Sequence, residues 1–317
     1  MTIRLGVVMD SIATINYKKD STLAMLCEAK ARGYEIYYFE QKDLALYKGV
    51  PQATAKLLNV QYDASAWFSF YGETTISLAE LDVILMRKDP PFNEEYIYTT
   101  YLLEQAERLG VLVVNRPQAL RDANEKLFAM YFPQCIPDSV VTQSQEKLRE
   151  FWLTHHDIVC KPLNTMGGTS VFRLRTGDVN ANVIFDTLTR NGTSHIMAQK
   201  FIPEIEHGDK RIILIDGEPI PYALARVPQG NDWRGNLAVG AKGVVQPLTE
   251  SDLLICAQVA PVLRERGLYF VGLDVIGNYL TEINVTSPTG IRELDSALKI
   301  NISAQLFDVI EKKIRKR

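Results

Sequence analysis

Oxygen-bearing side chains that could hold a metal ion occur on one apolar stretch near the end of the chain. Residues 270–293, FVGLDVIGNYLTEINVTSPTGIRE, read as two strands joined by a short turn. Glu282 and Asn284 are two residues apart, so a strand presents both on the same face. Hard divalent cations prefer oxygen ligands of this kind, with phosphate oxygens completing the shell. The pattern indicates a metal and phosphate site.

A third oxygen-bearing side chain, Asp274, joins this face only if the number of residues in the hairpin turn puts it there. A strict two-residue turn pairs Asp274 with Thr281 and puts it on the opposite face from Glu282. A three-residue loop, or one bulge, puts Asp274, Leu280, Glu282 and Asn284 on one face. We predict the odd loop. The alternative is a surface hairpin with a solvated polar face, but the hydroxyl-rich run T-S-P-T-G-I-R that follows favours a ligand site.

A lysine followed by a glycine-bearing loop could meet phosphate oxygens. Lys161 lies on a predicted strand, and residues 164–170, N-T-M-G-G-T-S, lead into another strand. This is not a Walker A motif, which needs G-x-x-x-x-G-K-[ST] before a helix. The glycines would still let backbone N–H groups approach phosphates. A plain hairpin with a surface lysine is the alternative.

Two arginines lie on the arms of a second predicted hairpin. Arg211 and Arg226 flank Asp216-Gly217, a pair that suits a type I′ turn. The glycine-rich residues 229–243 follow, and their composition argues against a packed strand. We interpret them as a lid or a disordered tether.

The ends of predicted parallel strands supply further polar groups. Asp10, Arg87 and Asp89 each follow an apolar run of strand length. Open α/β sheets bind ligands at the carboxyl ends of their strands. A structural ion pair between Arg87 and Asp89 fits the spacing equally well.

The elements that would position these groups alternate between strands and helices over residues 3–115, which predicts a mainly parallel sheet. Residues 41–80 indicate a β-rich excursion from it. Beyond residue 116 the pattern changes, and we predict helices over 120–132, 249–267 and 295–313.

Composition restricts the class of protein. The chain has 317 residues, 46% of them hydrophobic, and a net charge of -3. This suits two or three packed units in a soluble protein and gives no basic surface for nucleic acid. Four cysteines without a C-x-x-C pattern indicate reduced thiols and a cytoplasmic location. The apolar run at residues 3–9 is too short for a signal peptide or a membrane span.

Taken together, the motifs resemble those of the ATP-grasp ligases, and most closely the bacterial glutathione synthetases. The similar segments are D-V-I-L-M-R-K-D-P-P-F (82–92), K-P-L-x-x-M-G-G-x-S (161–170), G-D-K-R (208–211), A-R-x-P-Q-G (225–230) and L-T-E-I-N-V-T-S-P-T (280–289). They occur in the family's order and spacing and cover essentially the whole chain. One departure is Asn164-Thr165, where the family usually has Asp-Gly.

The resemblance implies an α/β protein with three parts. Residues 1–121 would form a mainly parallel α/β substrate domain. Residues 122–202 would form the central ATP-grasp subdomain, and residues 203–317 the C-terminal one, with a lid at 229–243 and a metal-binding hairpin at 270–286. The antiparallel sheets of the two subdomains would grip ATP.

The resemblance also assigns a nucleotide site. Its implied residues are Lys126, Lys161, Gly167, Gly168, Gln199, Lys200, Phe201, Ile202 and Asp209. The lysines would contact the phosphates and the glycines would close over them. Backbone groups of residues 199–202 would meet the adenine, and Asp209 the ribose.

The remaining implied roles concern metal, catalysis and substrate. Two Mg²⁺ ions, with Mn²⁺ as a substitute, would be held by Asp274, Glu282 and Asn284. The residues that would stabilise reacting anions are Arg211, Arg234 and Asn236. The substrate-binding candidates are Arg87, Asp89, Arg226, Ser287, Thr289 and Arg292.

The implied reaction joins γ-glutamylcysteine to glycine through an acyl phosphate, in a cytoplasmic homotetramer without nucleic acid or membrane partners. A D-alanine or glutamate ligase is the alternative enzyme. A grasp protein that binds nucleotide without catalysis is the alternative of another class.

Overall fold

Parallel strands flanked by helices make up the first part of the chain. The computed structural model describes residues 2–230, 233–235 and 240–316, and within these ranges the strands form three sheets. The first sheet contains β1 (Arg4–Val8), β2 (Glu35–Phe39), β3 (Leu44–Tyr47), β4 (Val50–Val60), β5 (Phe68–Ser77), β6 (Val83–Met86) and β7 (Leu112–Val114). The helices of this part are α1 (Ser21–Ala31), α2 (Glu94–Arg108) and α3 (Pro117–Asp122).

The predicted parallel sheet and its excursion are confirmed. Strands β2, β1, β6 and β7 pair in parallel, and their residues are buried on both faces, which is why they read as apolar runs. Strands β3, β4 and β5 pair antiparallel and form the β-rich excursion.

The second sheet is antiparallel, in the order β10-β9-β11-β8. Its elements are β8 (Ser139–Thr142), β9 (Asp157–Pro162), β10 (Phe172–Arg175), β11 (Ile196–Lys200), α4 (Gln145–His155) and α5 (Ala181–Thr189). Leu148 and Phe185 bring the two helices into one apolar cluster with the sheet.

The helix predicted over residues 120–132 is wrong. Helix α3 ends at Asp122, and a short 3-10 turn, Phe128–Tyr131, follows later. Between them the side chain of Asn124 accepts hydrogen bonds from the backbone N–H groups of Lys126 and Leu127. This local competition for backbone donors replaces the helix with a turn.

The third sheet is also antiparallel, in the order β14-β13-β12-β15-β16. Its elements are β12 (Asp209–Ile215), β13 (Glu218–Val227), β14 (Lys242–Pro247), β15 (Phe270–Ile276), β16 (Tyr279–Asn284), α6 (Glu250–Arg266), α7 (Ile291–Leu298) and α8 (Ile302–Ile314). The two antiparallel sheets agree with the predicted ATP-grasp architecture.

Local signals in this third part give mixed results. Asp216 and Gly217 both have positive φ, 50° and 79°, as the predicted type I′ turn requires. Helix α6 begins and ends where its capping residues predict. The single closing helix is wrong, because Lys299 takes a φ of 57° and separates α7 from α8. The predicted loop at 229–243 is also too long, since β14 begins at Lys242.

One buried side chain ties the first sheet to the last hairpin. Asn115, directly after β7, donates from Nδ2 to the carbonyls of Phe270 (2.8 Å) and Val285 (2.7 Å). Its Oδ1 accepts from the Phe270 N–H at 2.8 Å. Asn115 is 3% exposed, so these bonds form away from water. They fix the start of β15 and the end of β16 to the parallel sheet.

No helix within the described ranges is long and apolar enough to cross a membrane.

We expect Asn115→Ala to lower the free energy of unfolding by roughly 3 kcal/mol, because it removes three buried hydrogen bonds and leaves their partners unsatisfied. Urea denaturation measures the loss. The control is Asn278→Ala, an exposed residue in the turn of the same hairpin, which should change the free energy by less than about 0.5 kcal/mol. Equal losses in both variants would contradict the proposed tie.

Candidate active site

The register of the third sheet lines up charged side chains on one face. Arg211 on β12 lies opposite Asp274 on β15, and Asp274 lies opposite Glu282 on β16. In the neighbouring row, Asp209 lies opposite Arg226 on β13. Directly opposed residues share a face, so the strand pairing itself assembles the cluster.

The parity predicted for the hairpin is reached through a bulge instead of an odd loop. Ile276 pairs with Tyr279 across a two-residue turn, and the register then shifts between Asp274 and Val275. The shift puts Asp274 opposite Glu282, as the same-face prediction required. Leu280 was expected on that face, but it pairs with Val275 and is fully buried in the apolar core.

Three hydrogen bonds and one further ion-pair contact hold Asp274. Arg211 donates to it from Nε (2.5 Å) and Nη2 (3.0 Å), Arg226 lies 3.0 Å from its Oδ2, and Asn284 Nδ2 donates at 3.2 Å. Burial by itself raises the pKa of this carboxyl, but the two guanidinium groups outweigh burial and lower the pKa of Asp274. Gly272 makes room for this pair, because a Cβ there would lie 2.8 Å from Arg211 Cδ.

Glu282 is neutralised by two lysines from outside its own sheet. Lys161 Nζ on β9 lies 3.3 Å from its Oε1, and Lys126 Nζ lies 3.6 Å away. Burial opposes ionisation of Glu282, but the lysines outweigh it and lower its pKa. Lys126 also contacts Glu125 Oε1 (2.5 Å) and the Thr165 carbonyl (2.8 Å). Two lysine-bearing segments therefore converge on one carboxylate.

Asp209 is the least satisfied acid of the cluster. Its Oδ2 accepts from Arg226 Nη2 at 2.5 Å, whereas its Oδ1 is buried without a hydrogen-bond partner. Burial, reinforced by the charges of Asp274 and Glu282, outweighs Arg226 and raises the pKa of Asp209 to about 7. Such an atom can hydrogen-bond a ligand hydroxyl.

A first cavity lies between the two antiparallel sheets. One end is charged and carries Lys126, Lys161 and Glu282 beside the glycine-bearing loop. The other end is mostly apolar and is lined by Val159, Gln199, Lys200, Phe201, Ile202, Ile205, Trp233 and Ile276. A ligand with an anionic tail and a flat apolar head fits this division.

A second cavity adjoins the first. Its polar lining is Asp89, Glu125, Arg211, Arg226, Asp274, Glu282, Asn284, Thr286, Ser287 and Thr289. Both cavities share Met166, Gly167 and Glu282. Groups bound in the two cavities would therefore meet beside Glu282.

Most of the predicted nucleotide, metal and arginine positions lie in these cavities, but some substrate candidates do not. Arg87 is buried, donates to Thr22 Oγ1 and to the Pro288 carbonyl, and makes no ion pair with Asp89 within the described ranges. Arg292 lines a separate cavity and donates to the Tyr17 carbonyl.

The predicted lid is only partly described. Asn236 lies outside the described residues. Arg234 lines the first cavity and donates from Nη1 to the Gly168 carbonyl at 2.9 Å. This bond joins the predicted lid to the glycine-bearing loop.

Several cavity residues had no distinguishing signal in the sequence. Glu125 stands beside the more recognisable Lys126, and Met166 lies within the glycine motif but has no charge or donor group that would assign it a role. Trp233 was hidden in the glycine-rich stretch. A charged residue next to Lys126 could have suggested Glu125, but adjacent charges are common on solvated surfaces.

Oxygen donors that could hold a metal ion lie together beside Glu282. Across the described residues, no three His, Cys, Asp or Glu side chains form a metal-binding group by themselves. Two carboxylates and the amide of Asn284 do lie together, and the amide oxygen is not used in the bond from Asn284 to Asp274. This set suits a hard cation whose shell is completed by a ligand's own oxygens.

We expect Asp209→Asn to gain stability relative to the parent as the pH rises. In the folded parent, Asp209 keeps its proton up to about pH 7, whereas in the unfolded chain its carboxyl has the ordinary pKa of 3.8. The folded state therefore binds more protons between these values, and the parent loses stability as the pH rises through that window. Urea denaturation without ligands at pH 4.5 to 8 measures the difference, and a difference that is flat with pH would contradict a raised pKa.

Comparisons with known proteins agree with this geometry. The prokaryotic glutathione synthetase N-terminal domain model matches residues 3–121, and the prokaryotic glutathione synthetase ATP-grasp domain model matches residues 125–299. The glutathione synthetase of Pseudomonas aeruginosa is 58% identical over 317 residues, covering 100% of both chains. That of Escherichia coli strain K12 is 54% identical over 315 residues, covering 99% of this chain and 100% of the relative.

Solved structures extend the likeness of the fold. D-cycloserine synthetase DcsG superposes with a TM-score of 0.68 at 13% identity, covering 98% of this chain and 99% of the other. The ATP-grasp ligase PsnB, complexed with a minimal precursor, gives 0.64 at 19% identity over 98% and 99%. The family models, the full-length relatives and the fold agree, and the chain belongs to the prokaryotic glutathione synthetase family.

Proposed function

We propose that the two cavities join γ-glutamylcysteine to glycine at the expense of ATP, giving glutathione, ADP and phosphate. Family membership supports ATP-dependent ligation for glutathione synthesis. The single observation that carries the residue-level account is the meeting of both cavities at Glu282. Nucleotide in the first and peptide in the second would bring the γ-phosphoryl group and the accepting carboxylate together.

ATP occupies the first cavity in this proposal. The mostly apolar end takes the adenine, with backbone groups of residues 199–202 facing its edge. The unpartnered Oδ1 of Asp209 takes a ribose hydroxyl. Lys126 and Lys161 meet the phosphates as point charges, and Gly167 and Gly168 cover them.

Asp274, Glu282 and Asn284 would hold Mg²⁺ together with the phosphate oxygens. When bound, the metal neutralises phosphate charge and orients the transferred group. Glu282 and Asn284 fit this role more directly than Asp274, because Asp274 is already engaged by two arginines. Release of one arginine toward the substrate would free Asp274 for the metal.

Lys126 and Lys161 would take two positions, one without ligands and one with them. Without ligands, Lys126 and Lys161 neutralise Glu282. With metal and ATP present, the metal would neutralise Glu282 and the lysines would turn to the phosphates. The half-buried carboxylate of Glu282 would thus be compensated both with and without ligands, which avoids the cost of an unpaired charge.

The second cavity takes the dipeptide and glycine. Asp89, Ser287 and Thr289 line it and offer groups for the ammonium and carboxylates of γ-glutamylcysteine. Ser287 Oγ donates to Asp89, so the two act as one polar unit. Arg87 holds the Pro288 carbonyl and would support this turn from behind, while Arg292 falls outside the proposed site.

The reaction develops negative charge in two successive steps, and the cationic side chains of the site would stabilise both. The peptide carboxylate attacks the γ-phosphorus of ATP and releases ADP, forming an acyl phosphate. The amine of glycine then attacks the acyl carbon, the tetrahedral intermediate loses phosphate, and the amine proton passes to solvent or to the departing phosphate. Arg211 and Arg226, with Arg234 and Asn236 of the lid, would stabilise the anions. The lid at 229–243 would exclude water, which otherwise hydrolyses the acyl phosphate.

We also propose a division of the chain into domains, a cellular location and an oligomeric state. We assign residues 1–121 to substrate binding, 122–202 to the central subdomain and 203–317 to the C-terminal subdomain. All four cysteines are free thiols, which supports a cytoplasmic location. A homotetramer is proposed from the family resemblance alone.

Glu282→Gln should reduce ligation severely, because the change removes the charge that metal and lysines share, while ATP still binds through the lysines and the adenine end. Turnover is measured as phosphate release, and ATP affinity by calorimetry with and without Mg²⁺. The control is Glu73→Gln, an exposed strand residue, which should behave as the parent. Near-normal turnover of Glu282→Gln would remove Glu282 from the site.

The assignment of substrates is tested with the purified chain. Glutathione formation should require ATP, γ-glutamylcysteine and glycine together, with one phosphate released per peptide bond. Replacing glycine by D-alanine, or γ-glutamylcysteine by glutamate, should abolish matched product formation. Equal turnover with either replacement would leave only the broader class of carboxylate–amine ligase.

A further inference from the structure

Trp233 lines the first cavity but has no part in the reaction described above. It belongs to the short segment Trp233, Arg234 and Gly235. Arg234 of this segment reaches the charged end of the cavity through its bond to Gly168. Trp233 reaches the opposite, mostly apolar end, where Phe201 and Ile205 also lie.

The aromatic neighbour of Trp233 is held firmly. The Trp233 ring meets the Phe201 ring at a centroid distance of 5.9 Å and an angle of 73°, an edge-to-face contact. The guanidinium of Arg173 lies 3.3 Å from the Phe201 centroid and is itself paired with Asp157 at 2.8 and 2.5 Å. Phe201 is therefore fixed on one side by a paired cation and contacted on another by Trp233.

The backbone at Gly235, two residues after Trp233, packs closely against the third sheet. Gly235 is buried, and a Cβ there would lie 2.7 Å from Asp209 Cβ and 2.9 Å from the Arg226 carbonyl oxygen. Only a residue without a side chain allows this approach. The segment therefore sits against the third sheet at Gly235, against the glycine-bearing loop at Arg234 and against β11's end at Trp233.

We propose that Trp233 determines nucleotide specificity by packing its indole against the purine base of ATP. This inference rests on the proposed function, since it takes the mostly apolar end as the base end. A flat aromatic surface beside Val159, Ile202 and Ile276 offers dispersion contact to a two-ring base. A single-ring pyrimidine placed by the same backbone groups is shorter and loses this contact.

The main test compares ATP with CTP in Trp233→Ala. The expected result is an increase of about tenfold in KM for ATP, the size of one lost base–aromatic contact. The value of kcat and the KM for CTP should stay near those of the parent, so the preference for ATP over CTP falls by the same factor. Trp233→Phe should recover most of the preference.

A matched control removes a similar contact elsewhere. Trp152 makes an edge-to-face contact with Phe185 at 6.4 Å and 76°, away from both cavities. Trp152→Ala should lower stability but leave the ATP to CTP preference unchanged. If Trp152→Ala and Trp233→Ala shift the preference alike, Trp233 has only a structural role and the proposal fails.

A binding measurement keeps the test independent of ligase activity. The chain has 3 tryptophans, so Trp67→Phe with Trp152→Phe leaves the emission of Trp233 alone. Titration with ATP should change this emission, and CTP at equal occupancy should change it much less. If ATP binds by calorimetry without changing the emission, the indole does not contact the base and the proposal is overturned. Absence of glutathione formation in the parent would instead overturn the proposed function.

Discussion

Compensation of buried charge is the constraint on which the site depends. Asp274 and Glu282 lie side by side on adjacent strands; Asp274 is buried and Glu282 is half-buried. Keeping such carboxylates ionised without partners would cost several kcal/mol each, a large part of a domain's net stability. Two arginines stabilise one and two lysines stabilise the other. The cations come from both antiparallel sheets and from the turn before β8, so the charge balance links these units.

The fold supplies this balance through register and anchoring. Antiparallel pairing places Arg211, Asp274 and Glu282 directly opposite one another, and the bulge in β16 keeps the last of them on the correct face. The bonds of Asn115 fix the hairpin to the parallel sheet. The same anchor sets the hairpin against the elements that carry Asp89 and the Pro288 turn. Positioning of the second cavity thus depends on a residue that contacts no substrate in our account.

The parts of this arrangement that follow a local rule could be predicted from sequence. The spacing of Glu282 and Asn284 gave their common face, and Asp216-Gly217 gave the type I′ turn. Alternation of strands and helices gave the parallel sheet. The family resemblance brought together positions that no local rule connects, such as Lys126 and Lys161.

Other features depend on alternative hydrogen-bond partners and on contacts between distant segments, which local sequence patterns do not reveal. A bulge and an odd loop both put Asp274 on the face of Glu282, so the sequence alone did not distinguish them. Because the odd loop was predicted, Leu280 was placed on the wrong face. Asn124 takes backbone donors from a helix that the apolar spacing favoured. Glu125 and Trp233 can be recognised as cavity residues only after folding brings distant segments of the chain together. Arg292 is adjacent in sequence to the hydroxyl-rich turn, but the start of α7 directs it to a separate cavity.

In the proposed function, Lys126 and Lys161 compensate Glu282 until metal and nucleotide replace them. A crystal structure with a non-hydrolysable ATP analogue, Mg²⁺ and γ-glutamylcysteine tests it most directly. We expect metal contacts to Glu282 and Asn284, with both lysine ammonium groups moved from Glu282 to the phosphates. Lysines that stay on Glu282, with the metal bound elsewhere, would rule out this exchange of partners.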